Sequence, residues 1–196
     1  MKTIKNFWIV LGSFLALVFF AQTSWGQTYN VNGKASKVVV EGTSNIHDWE
    51  MTANDLQGTL KVVMEDGQLV KVDQLSFTVI AESLKSGKGG MDKNAYKALN
   101  TDDHKKIEFQ LQSVKNIDCT SSSSCKITAT GNLTINGVKK SVDMIFDAKV
   151  SESKIDLSGN KKINMTQYKV DPPTAMFGTI TTGEEVNVKF QAVYSK

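Results

Sequence analysis

Few residues of this chain are suited to chemistry: two histidines, two cysteines and a glycine–lysine loop. His47 stands in Ser-Asn-Ile-His-Asp-Trp, where Asp48 is the neighbour that would orient it as a general base. Adjacent residues on a strand point to opposite faces, and no activated serine or cysteine motif accompanies the pair. The competing reading makes His47 a hydrogen-bonded turn residue, or a polar contact at the mouth of a larger fold. His104, in Asp-Asp-His-Lys-Lys, reads as solvated surface. Two distant histidines and one cysteine pair do not supply the three or four ligands of a zinc site. Ser86-Gly87-Lys88-Gly89-Gly90 lacks the spacing of a phosphate loop. Its lysines, Lys85 and Lys88, remain placed to meet an anionic head group at a rim. No catalytic set, metal or cofactor is expected.

Cys119 and Cys125 flank Thr-Ser-Ser-Ser-Ser between two expected strands. Redox motifs separate their cysteines by two residues, so the pair reads as a disulfide stapling a hairpin in an exported protein. Export follows from the N-terminus. Lys2 and Lys5 precede an apolar run from Phe7 to Phe20, and Ser24 and Gly26 place small residues three and one before a break at Gln27. This is the pattern of a cleaved signal peptide over residues 1–26. The apolar run is shorter than the roughly 20 residues that span a bilayer. The expected location is therefore periplasmic or secreted, with a single domain over residues 27–196.

Charge excludes one class of partner. All 23 basic residues are lysine, set against 20 acids over the whole chain. Such a near-neutral domain gives no reason to expect nucleic acid, and without arginine it has no bidentate clamp for phosphate.

The elements that must position these residues are strands. Val142, Met144, Phe146, Ala148 and Val150 alternate with polar residues, as do Val186, Val188, Phe190, Ala192 and Tyr194; a period of two puts one face in and one out. Strands are expected over 28–35, 37–42, 51–64, 69–81, 107–112, 127–135, 138–150 and 184–194, with weaker ones over 154–157 and 163–170. Asp66-Gly67 and Asn136-Gly137 are two-residue hairpin signals. Val70 and Val72 are read as inward, then Leu75, Phe77 and Val79 on the other parity, which implies a bulge near Asp73-Gln74. One short helix is expected near Met91–Asn100, packing across a barrel or its mouth. Eight or so antiparallel strands with one apolar face each favour a closed, eight-stranded all-β barrel over a two-sheet sandwich.

What faces inward is large and adaptable. Phe77, Val79, Phe109, Leu133, Met144, Phe146 and Phe190 are expected in the lumen with Leu60, Met165 and Phe177. The helix adds Met91, Tyr96 and Leu99. Methionine suits a lumen that fits a flexible chain. Two readings stand side by side: these side chains fill a solid core, or they line a hollow that holds an apolar ligand.

A family resemblance bears on that choice. Ser83-Leu84-Lys85-Ser86-Gly87, Met91-Asp92, Ala98-Leu99 and Ile107-Glu108-Phe109 resemble the strand–helix–strand segment of the YceI-like family. Gly131-Asn132-Leu133-Thr134-Ile135-Asn136-Gly137-Val138 through Val142 is similar to that family's most specific hairpin, and Ser44 to Trp49 resembles its early histidine turn. Met165 to Val170, Pro172-Pro173, Met176-Phe177-Gly178 and Thr182 to Val186 match the ending of one branch. The chain departs from the family at His104-Lys105-Lys106, where an aromatic–proline pair is usual, and near Met165 to Lys169, where arginine and Asp-Phe-Gly are often found. The resemblance implies a lipocalin-like barrel that carries or stores a polyisoprenoid, an isoprenoid quinone or a related lipid without catalysis. It implies transient contact with membranes, and a homodimer, since members are often dimers. His47, Lys85, Lys88 and Tyr168 would then touch a polar head at the rim. The alternatives are a structural barrel with a filled core and a lipid-modifying enzyme using His47.

Overall fold

The computed structural model describes residues 26–196; the expected signal peptide lies outside them except for Gly26. The described chain runs β1 (Gln27–Val31), β2 (Lys37–Ser44), β3 (Trp49–Ala53), β4 (Leu56–Glu65), β5 (Gln68–Ile80) and β6 (Leu84–Lys85). Helix α1 (Gly89–Leu99) follows, then β7 (Lys106–Ser121), β8 (Ser124–Ile135), β9 (Val138–Val150), β10 (Lys154–Asn164), β11 (Thr174–Ala175) and β12 (Ile180–Ser195). Three short 3-10 turns lie among them, at Ala81–Ser83, Met165–Tyr168 and Met176–Gly178.

These strands build eight antiparallel staves. β1 and β2 are two parts of one stave along β12, β3 and β4 form the next, and β6 prolongs β5. Up-and-down pairing then runs through β5, β7, β8, β9, β10 and β12, and β1 closes the ring by bonding both β4 and β12. Closure gives every stave a neighbour on both sides, though two of the seams are paired over only part of their length. The turns form where the sequence demands them. Asp66 and Gly67 take φ of 49° and 76°, and Asn136 and Gly137 take 48° and 71°, so both hairpins use two successive left-handed residues.

Several boundaries differ from the sequence reading. The long strand expected over 51–64 breaks at Asn54-Asp55. The bulge at Asp73 is present: Lys61 pairs with Gln74 and Val62 with Val72, leaving Asp73 between. A second shift lies between Val63 and Met64, which pair with Lys71 and Leu69 and leave Val70 over. Leu69 is therefore the buried residue and Val70 faces outward. The separate strand expected over 163–170 is absent: β10 runs on to Asn164, whose side chain accepts from the Thr166 amide at 2.9 Å and starts a 3-10 turn over Met165–Tyr168.

Packing divides the interior into two halves. At the end holding the Cys119–Cys125 disulfide, Tyr29, Leu60, Val62, Ile127, Ile155 and Leu157 pack with their neighbours into a solid core. At the other end α1 lies across the barrel, its Met91, Ala95 and Leu99 set against Val38, Met51, Leu56, Val79 and Leu84. The disulfide is thus far from the helix-covered end. It fastens two paired residues of one hairpin, as its position between expected strands indicated.

Two seams of the ring are incomplete: β5 and β7 pair only from Ser76 opposite Gln110 to Ile80 opposite Lys106, and the seam between β9 and β10 is similarly short. β9 and β10 pair only from Ile155 opposite Val150 to Ser158 opposite Asp147. Beyond that point β9 continues on β8 alone, and β10 on β12 alone.

Candidate functional site: a half-hollow barrel

The helix-covered half of the barrel encloses a cavity of about 600 Å³. Its floor is aromatic. Phe109 and Phe146 meet edge to face with centroids 6.0 Å apart, and Phe146 and Phe190 do the same at 5.8 Å. Leu157, Ala192 and Tyr194 complete that floor, and the solid core begins beneath it. Tyr194 is fully buried and donates its hydroxyl hydrogen to the Ser76 carbonyl at 3.1 Å. Burial pushes its phenol well above the ordinary range.

Small residues make room for these rings. A Cβ on Gly131 would lie 2.3 Å from the Phe109 ring, and one on Gly159 would lie 2.8 Å from Phe190 and 2.7 Å from the Ile145 carbonyl. Glycine in a strand interior weakens it, and at these positions it accepts an aromatic side chain from the neighbouring stave.

Between floor and helix the walls are Val38, Val40, Met51, Phe77, Val79, Ile107, Leu133, Ile135, Val186 and Val188, nearly all aliphatic. Met91, Ala95, Ala98 and Leu99 form the roof on one side. The mouth lies between three segments: the turn from Ser44 to Trp49, the start of α1, and the stretch from Pro173 to Thr182. Asn45 ties two of these together. Its amide hydrogens reach the Thr179 carbonyl at 2.9 Å, and its side-chain oxygen accepts from the Thr181 amide at 3.0 Å. The loop before α1 is held by Asp92, whose carboxylate accepts from the Ser86 hydroxyl at 2.6 Å and its amide at 2.8 Å. Those two bonds hold the Asp92 carboxyl below its usual range.

The residues expected in the lumen separate clearly. Phe77, Val79, Met91, Leu99, Phe109, Leu133, Met144, Phe146, Met165 and Phe190 all line the cavity. Leu60 does not; it lies in the solid half below the aromatic floor. Tyr96 turns away from the cavity, its hydroxyl 2.9 and 2.8 Å from the Glu82 and Leu84 carbonyls. Phe177 is fully exposed, because both Met176 and Phe177 take left-handed backbone angles that throw the pair outward at the tip of a turn.

The expected rim residues separate as well. His47 and Lys88 line the mouth. Lys85 is outside it, donating to the Tyr96 hydroxyl at 2.6 Å and lying over that ring, and this hydrogen bond raises its pKa. Tyr168 is buried rather than at a rim, in a cluster with Ile135 and Val170 on the cavity wall. His47 makes no pair with the Asp48 carboxylate; its Nδ1 lies 2.8 Å from the Asp48 backbone oxygen. Ser44 receives the turn, its hydroxyl donating to the His47 carbonyl at 2.7 Å. His104 packs its ring over Gly137, away from the cavity.

Sequence reasoning missed Lys161, which lines the cavity. Its signal was present: along β10 the inward parity runs Ile155, Leu157, Gly159, Lys161, Ile163. Lys161 is the charged member of an otherwise apolar row. Among the described residues, no group of three or more histidine, cysteine, aspartate or glutamate side chains is gathered for a metal ion.

Comparison with known proteins agrees with this geometry. A model of the YceI-like domain matches residues 29–194. The fold is similar to that of BcnA from Burkholderia cenocepacia, with a TM-score of 0.66 at 17% identity over 83% of this chain and 98% of that one. It is also similar to a polyisoprenoid binding domain from Saccharophagus degradans implicated in plant cell wall breakdown, with a TM-score of 0.64 at 12% identity over 85% and 97%. A Campylobacter jejuni YceI protein aligns with a TM-score of 0.50 at 18% identity over 74% and 82%. At such identities the likeness is one of fold. No curated protein matches the chain.

Proposed function

The chain belongs to the YceI-like family, and from that membership and its half-hollow barrel we propose that it binds the tail of an isoprenoid-type lipid without catalysis. The observation that carries this reading is the apolar cavity of about 600 Å³ between an aromatic floor and an amphipathic helix. Its size falls within the ~300–1,000 Å³ of small-molecule sites. Burying a methylene is worth about 0.8 kcal/mol, so ten of them in the cavity supply about 8 kcal/mol. That term offsets the lost freedom of the bound tail and supplies a driving force with no specific polar contact.

The mouth favours exchange with a membrane. Ile46, Met176 and Phe177 are exposed on two of the segments that frame it, and apolar side chains at an opening suit contact with lipid. Carriage or storage in a periplasmic or extracellular space is the setting that fits the N-terminal segment and the disulfide. The proximity of His47 to a backbone oxygen rather than a carboxylate gives no support to an acid–base role.

The test is a ladder of isoprenoid quinones differing only in tail length, titrated into the purified protein. Affinity is expected to rise about fourfold for each added methylene equivalent until the cavity is full, then level off. An affinity independent of tail length would overturn the proposal.

A further inference from the structure

Beside the seam between β9 and β10 lies a second, polar pocket that borders the cavity. The lower limit of the unpaired stretch is the last pair, Ser158 opposite Asp147. Its upper limit is Asn136, whose side-chain amide donates to the Lys169 carbonyl at 2.8 Å and so ties the β8–β9 turn to the segment after β10. Between these limits the staves part around this pocket of about 350 Å³, lined by Ser141, Asp143, Lys161, Asn164, Gln167 and Tyr168. Lys161, Ile163 and Tyr168 line this pocket and the apolar cavity alike, so the two spaces adjoin.

Two donors stand at that junction. Lys161 crosses the gap and donates to the Asp143 backbone carbonyl at 3.0 Å, replacing one of the ladder bonds the seam lacks. The Asp143 carboxylate is already engaged by Lys115 and the Thr130 hydroxyl, each at 2.7 Å. Tyr168 is the more telling group. The hydroxyls of Tyr29, Tyr96 and Tyr194 are all hydrogen bonded. That of Tyr168 makes no hydrogen bond among the described residues, and it is not one of the fully buried atoms left without a partner, which are Ser83 Oγ, Asp156 Oδ1 and Asn187 Oδ1. The small part of Tyr168 that stays exposed includes its hydroxyl. An accessible hydroxyl with no partner in the protein is free to donate to a group that enters the pocket, and a site that pairs it favours ligands carrying an acceptor there.

We infer that this window between β9 and β10 receives the polar head of the bound lipid, with Tyr168 and Lys161 donating hydrogen bonds to an acceptor oxygen on it. The inference rests on the proposed tail binding and adds where the head lies: at the side of the barrel, with the mouth under α1 left free for the tail to enter. Ring-carbonyl and phosphate heads both present such oxygens, and the lysine's charge favours the second.

The experiment uses three probes sharing one farnesyl tail and ending in a benzoquinone, a phosphate or plain hydrocarbon, with inorganic phosphate as a fourth. Wild-type protein is expected to bind at least one headed probe tenfold or more tightly than the headless one. The preferred probe identifies the head class. Tyr168→Phe and Lys161→Met are expected to bring that ratio close to one, while Tyr96→Phe, whose hydroxyl is outside the cavity, preserves it. Thermal melting of each variant checks that it is folded. A ratio unchanged in both window variants would overturn the inference and leave tail binding standing. Binding of inorganic phosphate as tight as that of farnesyl phosphate would also overturn it, as a site for the free ion. Failure of every farnesyl probe to bind would instead remove the tail-binding reading beneath it.

Discussion

At the scale of the residue, the cavity exists because aromatic side chains are spent on a floor rather than on a plug. Phe109, Phe146 and Phe190 lock edge to face over Gly131 and Gly159, and Tyr194 anchors the layer through Ser76. Tyr194 makes this floor sensitive to alkali, with a definite sign. Its folded-state pKa lies above the ordinary 10.0, so the unfolded chain releases the phenolic proton first. The contribution is therefore whole below pH 10 and declines as pH rises further, by up to about 1.4 kcal/mol per pH unit. Unfolding titrations at pH 8 to 11 are expected to show wild type losing stability more steeply than Tyr194→Phe. Parallel slopes would mean that the hydroxyl is open to water. Other residue-level facts were legible in part. Most inward aromatics and methionines follow from strand parity, and they do line the cavity. Parity says nothing of depth, so Leu60 reads the same as Met144 although only one borders the hollow. Lys161 was readable from its place in the β10 row, and Tyr168 was legible as a polar contact but not as a buried one.

At the scale of the element, local signals carried furthest. Asp66-Gly67 and Asn136-Gly137 dictate their turns because the needed backbone angles are a property of those residues alone. The phase slip at Asp73 was visible because the apolar parity changes within the strand's own sequence. Val70 was missed because its displacement comes from pairing with β4, a partner that one strand's pattern does not contain. The segment from Met165 to Val170 has apolar spacing that suits a strand, but the Asn164 side chain captures the Thr166 amide and hydroxyl first. Phe177 reads as a core aromatic until its left-handed turn is known. The disulfided hairpin is an independent element, remote from the cavity. Replacing Cys119 and Cys125 together by alanine is expected to lower stability by about 2 kcal/mol in denaturant unfolding, the scale for a loop this short. Quinone affinity should be unchanged. A parallel fall in affinity would show that the solid half and the hollow half are coupled.

At the scale of the whole molecule, both readings of the interior are half right: one end of the barrel is packed solid and the other is hollow. Alternation along the chain fixed the closed barrel, since eight one-faced staves have few other ways to hide their apolar side. It left undecided how far the side chains reach across the lumen, which depends on ring size, glycine placement and the tilt of α1. The incomplete β9–β10 seam was equally hidden, because both strands alternate normally there and only their pairing differs. The account as a whole is tested most directly by native mass spectrometry of the protein purified from its own host. It predicts one lipid per chain, with an extractable isoprenoid tail, and a largely empty Met144→Trp variant, in which the larger side chain fills the space above the floor. Wild-type protein recovered repeatedly without any lipid adduct, or lipid retained in full by Met144→Trp, would contradict it.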